Sequence, residues 1–106
     1  DTPIQMITRW AYADIEIGGQ QIKRGDSVGL MLGSANRDPL RYKNPEVFDI
    51  QREDTKSCGF GGGIHYCLGS SLARAEGQIA LNVLLNRLPE LHLLEDNIKW
   101  ANNIIF

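Results

Sequence analysis

Only two cysteines and four prolines stand among 106 residues, and neither charge sign dominates: 11 Lys and Arg face 13 Asp and Glu, a formal net charge of -2. So few cysteines exclude a disulfide-dense miniprotein, and the two thiols are equally at home paired or reduced in a cytosolic protein. The cytoplasm is the expected compartment. A balanced charge without a basic stripe argues against nucleic acid as the main partner, because a phosphate-binding face shows up as a basic excess or cluster. Uninterrupted apolar runs are a few residues long, far from the roughly 20 needed to cross a bilayer, so no membrane partner is expected. The opening Asp1-Thr-Pro3 is not a signal peptide, and without an initiating Met it reads as part of a longer chain. Internal repeats and low-complexity stretches are missing too. What is present is 42% hydrophobic and 23% charged, the make-up of one soluble globular unit with a single core.

The pattern along the chain places the elements. Ala13-Asp-Ile-Glu-Ile17 alternates with period two, Gly18 and Gly19 supply a turn, and Gln20-Gln-Ile22 returns. Lys23-Arg-Gly-Asp26 reads as a further turn before the apolar run Ser27-Val-Gly-Leu-Met-Leu32, so 13–32 is expected to be a hairpin sheet. Over 33–57 the periodicity breaks up. Asn36-Arg-Asp-Pro39 and Lys43-Asn-Pro45 set prolines in polar surroundings, which predicts a short helix and a meander anchored by Val47, Phe48 and Ile50. Leu68, Leu72, Ala75, Ile79 and Val83 recur at spacings of three and four, with Ala80, Leu84 and Leu88 widening the stripe. This predicts a helix over 68–88, stopped by Pro89. Leu91 to Leu94 and Ile98 to Trp100 read as short terminal strands within 91–106. The class is α+β.

Chemistry concentrates in Cys58-Gly-Phe-Gly-Gly-Gly-Ile-His-Tyr-Cys67-Leu-Gly-Ser-Ser71. Cys67 stands at the start of the long helix, where unpaired amides and the positive end of the helix dipole favour a thiolate. The glycines from Gly59 to Gly63 let the backbone fold back in front of that sulfur, Gly69 leaves the approach bare for something flat, and Phe60 is placed to shield it. An anionic sulfur, close amides and a dry surround are what a haem iron held by cysteine requires. The same residues leave other readings open. Cys58, His65 and Cys67 make a three-ligand zinc set, though without a C-x-x-C pair. A Cys58–Cys67 disulfide is another possibility. A phosphate cradle is disfavoured, because Ile64 stands where the third glycine of a dinucleotide fingerprint belongs.

Phe60, Gly63, His65, Cys67 and Gly69 fill every fixed position of F-x-x-G-x-(H or R)-x-C-x-G, and the stretch resembles the haem-binding signature of the cytochrome P450 family. The likeness runs on into Leu72-Ala-Arg74 and Glu76. Upstream, Asn36-Arg-Asp-Pro39 and Pro45-Glu-Val-Phe48-Asp49 are similar to the segment that soluble bacterial members carry before the loop. The resemblance implies a C-terminal fragment of the mainly-α cytochrome P450 fold. It implies haem b, iron protoporphyrin IX, with Cys67 on the iron and pushing electron density through it to favour O–O cleavage. It further implies Phe60, Gly61, Gly69 and Ala73 against the macrocycle, Arg9 and His65 at the two propionates, and Gln5, Met6 and Ile7 along the substrate pocket. An arginine fork suits a carboxylate. The implied activity is insertion of one oxygen atom into a small organic substrate, with electrons from a ferredoxin- or flavodoxin-type redox partner. A non-catalytic haem-binding module and an inactive structural fragment are the alternatives. The chain departs from the family in having no E-x-x-R pair: none of Glu16, Glu46, Glu53, Glu76, Glu90 and Glu95 has arginine three residues later. Arg52 is the candidate partner of such a missing glutamate. No lid helix with an acid-and-threonine pair is present either, so the chain is expected to offer one face of a haem pocket, to be incompetent for turnover alone and to self-associate through exposed apolar faces.

Overall fold

A computed structural model describes residues 2–54, 56–94, 99 and 103. The chain divides into two compact units, one running through Gly59 and the other beginning at Phe60.

The first unit starts with two small antiparallel sheets. Strands β2 (Ile15–Ile17) and β3 (Gln20–Ile22) pair Ile15 with Ile22 and Ile17 with Gln20. Gly18 and Gly19 both take positive φ, 58° and 79°, the backbone that a two-residue turn matched to strand twist demands. The sequence places the run from Ser27 in this same hairpin sheet, and here the structure differs. Strand β4 (Ser27–Met31) pairs instead with β1 (Met6–Trp10), Met6 opposite Met31 and Trp10 opposite Ser27. The turn after β3 enforces this change of partner. Gly25 at φ 91° reverses the chain, its amide donates to the Ala11 carbonyl (2.8 Å), and the Ala11 amide donates to Asp26 (2.9 Å), so β4 starts beside the end of β1. Asp14 holds the same turn, accepting from the Arg24 amide (2.8 Å) and Lys23 Nζ (3.2 Å). Directly after β4 comes α1 (Leu32–Ala35), whose Gly33 amide donates to the Gln5 carbonyl at 3.1 Å.

Charge and backbone carbonyls hold the meander after α1. Val47, Phe48 and Ile50, the expected anchors, are all exposed, Phe48 at 94%. The Arg52 guanidinium donates to the Lys43, Asn44 and Val47 carbonyls, an arrangement suited to its planar fork. Tyr42 Oη donates to the Lys56 carbonyl, Arg37 pairs with Glu46, and Arg41 pairs with Asp54. The hydrogen bond from Arg41 holds the Asp54 carboxyl below its ordinary 3.8 and pushes the Arg41 guanidinium up. A depressed carboxylate contributes order that is present above its unfolded value and lost as pH falls through the folded value. NMR titration is therefore expected to place the Asp54 midpoint below 3.8 and to show the Lys56 amide, which donates to Asp54 Oδ1 at 3.3 Å, losing protection over the same acid range. An Asp54 midpoint at or above the ordinary value would contradict the pairing.

The second unit is dominated by α2 (Ser70–Arg87). Leu68 and Gly69, read from the sequence as helical, lie before it: Gly69 is the N-cap, and the first helical bond runs from the Ala73 amide to the Gly69 carbonyl at 2.9 Å. At the other end the Leu88 amide closes on the Leu84 carbonyl (2.9 Å) and Pro89 follows. Leu91 to Leu94 form no strand, contrary to the sequence reading, and most of the remaining 91–106 assignment lies outside the described residues. Leu72, Ile79, Val83, Leu84 and Leu88 are exposed, as are Leu81 and Leu85 on another side of the helix. Between these apolar faces runs a polar seam in which Asn82 donates to the Gln78 carbonyl and Asn86 to the Asn82 carbonyl, each at 2.8 Å. A helix apolar on several sides belongs inside a larger body. Consistently, no hydrophobic side chain is buried among the described residues, so a single core for this chain, as its length suggests, is not found. Two small sheets and one long helix accord with the α+β class.

Candidate functional site

The cysteine loop closes on itself within the second unit. The Cys67 amide donates to the Phe60 carbonyl at 2.8 Å, the His65 amide to Gly62 at 3.2 Å and the Tyr66 amide to Gly63 at 3.1 Å. Gly61 sits at φ 70°, and a Cβ there would come within 3.1 Å of the His65 carbonyl oxygen. Backbone sterics and lack of space both require glycine at that position. The tight fold leaves Cys67 exposed at the loop's end, with Ser70 donating its amide to the Cys67 carbonyl at 3.2 Å. A Cβ on Gly69 would lie 4.0 Å from Cys67 Sγ, so the sulfur is beside the helix N-cap and meets no side chain there.

Aromatic contacts brace the loop against the helix. Phe60 and Tyr66 lie 6.4 Å apart between ring centroids, tilted by 56°. Arg74 reaches back from α2 to place its guanidinium carbon 5.2 Å from the centre of the Phe60 ring, with Nη2 3.5 Å from Tyr66 Oη. Such a cation over an aromatic face is worth about 0.5–1 kcal/mol at an exposed site. From the sequence, Arg74, like Glu76, is expected to make a surface or inter-element ion pair worth little. Its stacking role was illegible because Phe60 lies fourteen positions away, outside any helical repeat.

The predicted site residues fall into two groups. Phe60, Gly61, His65, Cys67, Gly69 and Ala73 belong to the second unit, His65 in the short 3-10 turn Gly63–His65 and Ala73 in the first turn of α2. Gln5, Met6, Ile7 and Arg9 belong to the first. Arg9 stands on β1 opposite Val28, its Nη1 donating to the Thr8 carbonyl at 2.8 Å. Gln5, Met6 and Ile7 are half-buried. Met6 lies over Gly29, where a Cβ would approach its Sδ to 3.3 Å. The two cysteines are free, and no cluster of three metal-ligating side chains occurs among the described residues. Cys58 is held by its amide, which donates to Asn36 Oδ1 at 2.8 Å. The donor set fits a haem iron: one exposed cysteine sulfur at a helix start, a bare glycine beside it and a half-buried phenylalanine in the same loop. No described helix is long and apolar enough to cross a membrane.

Known proteins resemble this chain in sequence and fold. The profile of the family Cytochrome P450 matches residues 2–99. The Biotin biosynthesis cytochrome P450 of Bacillus subtilis is 49% identical over 106 residues, all of this chain and 26% of that protein. Polyketide biosynthesis cytochrome P450 PksS of the same organism is 46% identical over 103 residues, 95% of this chain and 25% of that protein. Among solved structures, P450BioI in complex with hexadec-9Z-enoic acid ligated acyl carrier protein superposes with a TM-score of 0.88 at 49% identity, covering 100% of this chain and 27% of its own. The chain thus spans about a quarter of the length of the relatives it matches. With the profile covering nearly every residue and the cysteine loop folded as described, the chain belongs to the cytochrome P450 family.

Proposed function

We propose that this chain is the cysteine-loop segment, the C-terminal quarter, of a haem-thiolate monooxygenase that works in the cytoplasm. The observation that carries the reading is the exposed Cys67 sulfur beside Gly69 at the start of α2. Bound there, haem b supplies the iron at which dioxygen is activated and one oxygen atom is passed to a small organic substrate. The chain's own part is to hold and orient that group. Cys67 offers its sulfur at the N-terminal end of α2 as the ligand to the iron, Gly61 and Gly69 keep the approach clear, and Phe60 and Ala73 offer apolar contact to the macrocycle. Arg9 and His65 anchor the propionates. Gln5, Met6 and Ile7 line the substrate pocket, and electrons arrive from a ferredoxin- or flavodoxin-type partner. The acyl-chain complex of the neighbouring structure makes a long fatty acyl chain the first substrate class to test. Exposure of the apolar faces of α2 supports a segment that is incompetent for turnover without the remainder of a cytochrome P450.

The test is a hybrid in which this chain replaces the aligned segment of the Bacillus subtilis biotin biosynthesis cytochrome P450. The reduced, carbon-monoxide-bound hybrid is expected to show the strongly red-shifted Soret band of thiolate ligation. An unshifted band would mean another ligand, and no band would mean no haem. In the same hybrid, Arg9→Ala and His65→Ala are each expected to speed haem loss to apomyoglobin by about tenfold, the scale of one charge-assisted hydrogen bond. The position of the band should not change, because neither residue touches the iron. Unaltered retention in both would remove them from the propionates.

A further inference from the structure

The geometry points to Gly33 as a positioning residue that fixes the side chain of Gln5 and thereby the polarity of the pocket wall formed by the start of β1; this rests on the reading of Gln5 as a substrate-lining residue. Gly33 is buried, and its amide donates to the Gln5 carbonyl at 3.1 Å, so the two backbones are already in register. A Cβ on Gly33 would stand 3.0 Å from Gln5 Cδ, well inside normal contact, and would overlap Gln5 Oε1 outright. Real side chains do not approach so closely. Gly33 is not among the positive-φ residues and lies in α1, a helical backbone open to alanine. A side chain at position 33 is therefore accommodated only if the Gln5 amide moves away. The space is filled by the Gln5 amide, and the same amide donates Nε2 to the carbonyl of Thr2 at 2.5 Å. Thr2 is itself buried at 2% exposure and donates its hydroxyl to the Ile4 carbonyl at 3.2 Å, so the acceptor is fixed.

The consequence concerns what position 5 presents to a ligand. With the amide drawn onto Gly33 and one Nε2 donor bonded to the Thr2 carbonyl, part of its hydrogen-bonding capacity is met within the chain and the amide is held in one place. A methyl group on residue 33 drives the amide out, breaks its bond to Thr2 and frees a polar group at the wall. A long apolar ligand would then desolvate an amide without giving it a partner, a change that costs affinity roughly tenfold.

The experiment uses the hybrid with hexadec-9Z-enoic acid as probe, its dissociation constant read from the ligand-induced Soret shift at equal haem content, with thermal midpoints measured alongside. Gly33→Ala is expected to weaken the probe about tenfold while the carbon monoxide band is unchanged, and Gly33→Ala with Gln5→Ala is expected to match Gln5→Ala alone. Failure of the double variant to match overturns the coupling between the two residues. If Gln5→Ala rescues the thermal midpoint of Gly33→Ala while probe affinity is equal in all four proteins, the coupling exists but Gln5 does not face the ligand, and both the pocket reading and this role for Gly33 fall. Equal affinity and equal midpoints throughout overturn the inference alone.

Discussion

Cys67→Ser in the hybrid is expected to abolish the red-shifted band of the reduced, carbon-monoxide-bound protein completely, while Cys58→Ser leaves it at full height. The two thiols differ in every respect that matters to an iron. Cys67 stands exposed at the end of the closed loop, its amide anchored on Phe60 and its sulfur beside the bare Gly69. Serine retains the size of the side chain but offers a far weaker anionic donor, so any haem still held would carry a different ligand. Cys58 is half-buried, and what ties it to the fold is its backbone amide, bonded to Asn36 Oδ1. A serine there keeps that bond. Equal loss from both variants would return the argument to a disulfide or a zinc site.

Purified on its own, the 106-residue chain is expected to self-associate and to unfold without a cooperative transition. Stability in a small domain comes chiefly from removing apolar surface from water, at about 25 cal/mol per Å2. Ordering the backbone opposes this by about 1–2 kcal/mol per residue. Among the described residues no hydrophobic side chain is buried, and Leu72, Ile79, Leu81, Val83, Leu84, Leu85 and Leu88 of α2 all face outward. The favourable term is nearly missing while the cost of order is not. Light scattering after size exclusion should show mass rising with concentration, and urea should produce a shallow, drawn-out loss of helical circular dichroism. A monodisperse monomer with a sharp transition, of slope about 1 kcal/mol/M or more, would overturn the expectation. In the hybrid, the same helix should melt only with the whole protein.

Local chemistry was legible wherever neighbours in sequence decide it. The turn at Gly18 and Gly19 follows from two residues free to take positive φ, and the end of α2 at Arg87 follows from Pro89 two positions on. The loop was legible as well, because closely spaced glycines before Cys67 have few other uses. Strand pairing was not. Nothing within Ser27 to Met31 says that its partner is β1 and not β3; that choice is made by the bonds of Ala11 with Gly25 and Asp26 across the turn. Terminal strands were inferred from apolar runs alone, and among the described residues Leu91 to Leu94 form none.

The sequence by itself determined the family, the cysteine at the head of a helix and the extent of that helix to within two residues, since each rests on identity or spacing along one short stretch. Tertiary structure alone decided which side chains meet. It placed Arg74 over Phe60, gave Arg52 three carbonyls of the meander and laid the Gln5 amide against Gly33. It also left the periodic apolar residues of α2 uncovered. The reason is physical: periodicity says that a face must be buried, whereas the surface that buries it comes from residues distant in sequence, and only the folded arrangement of the whole protein supplies them.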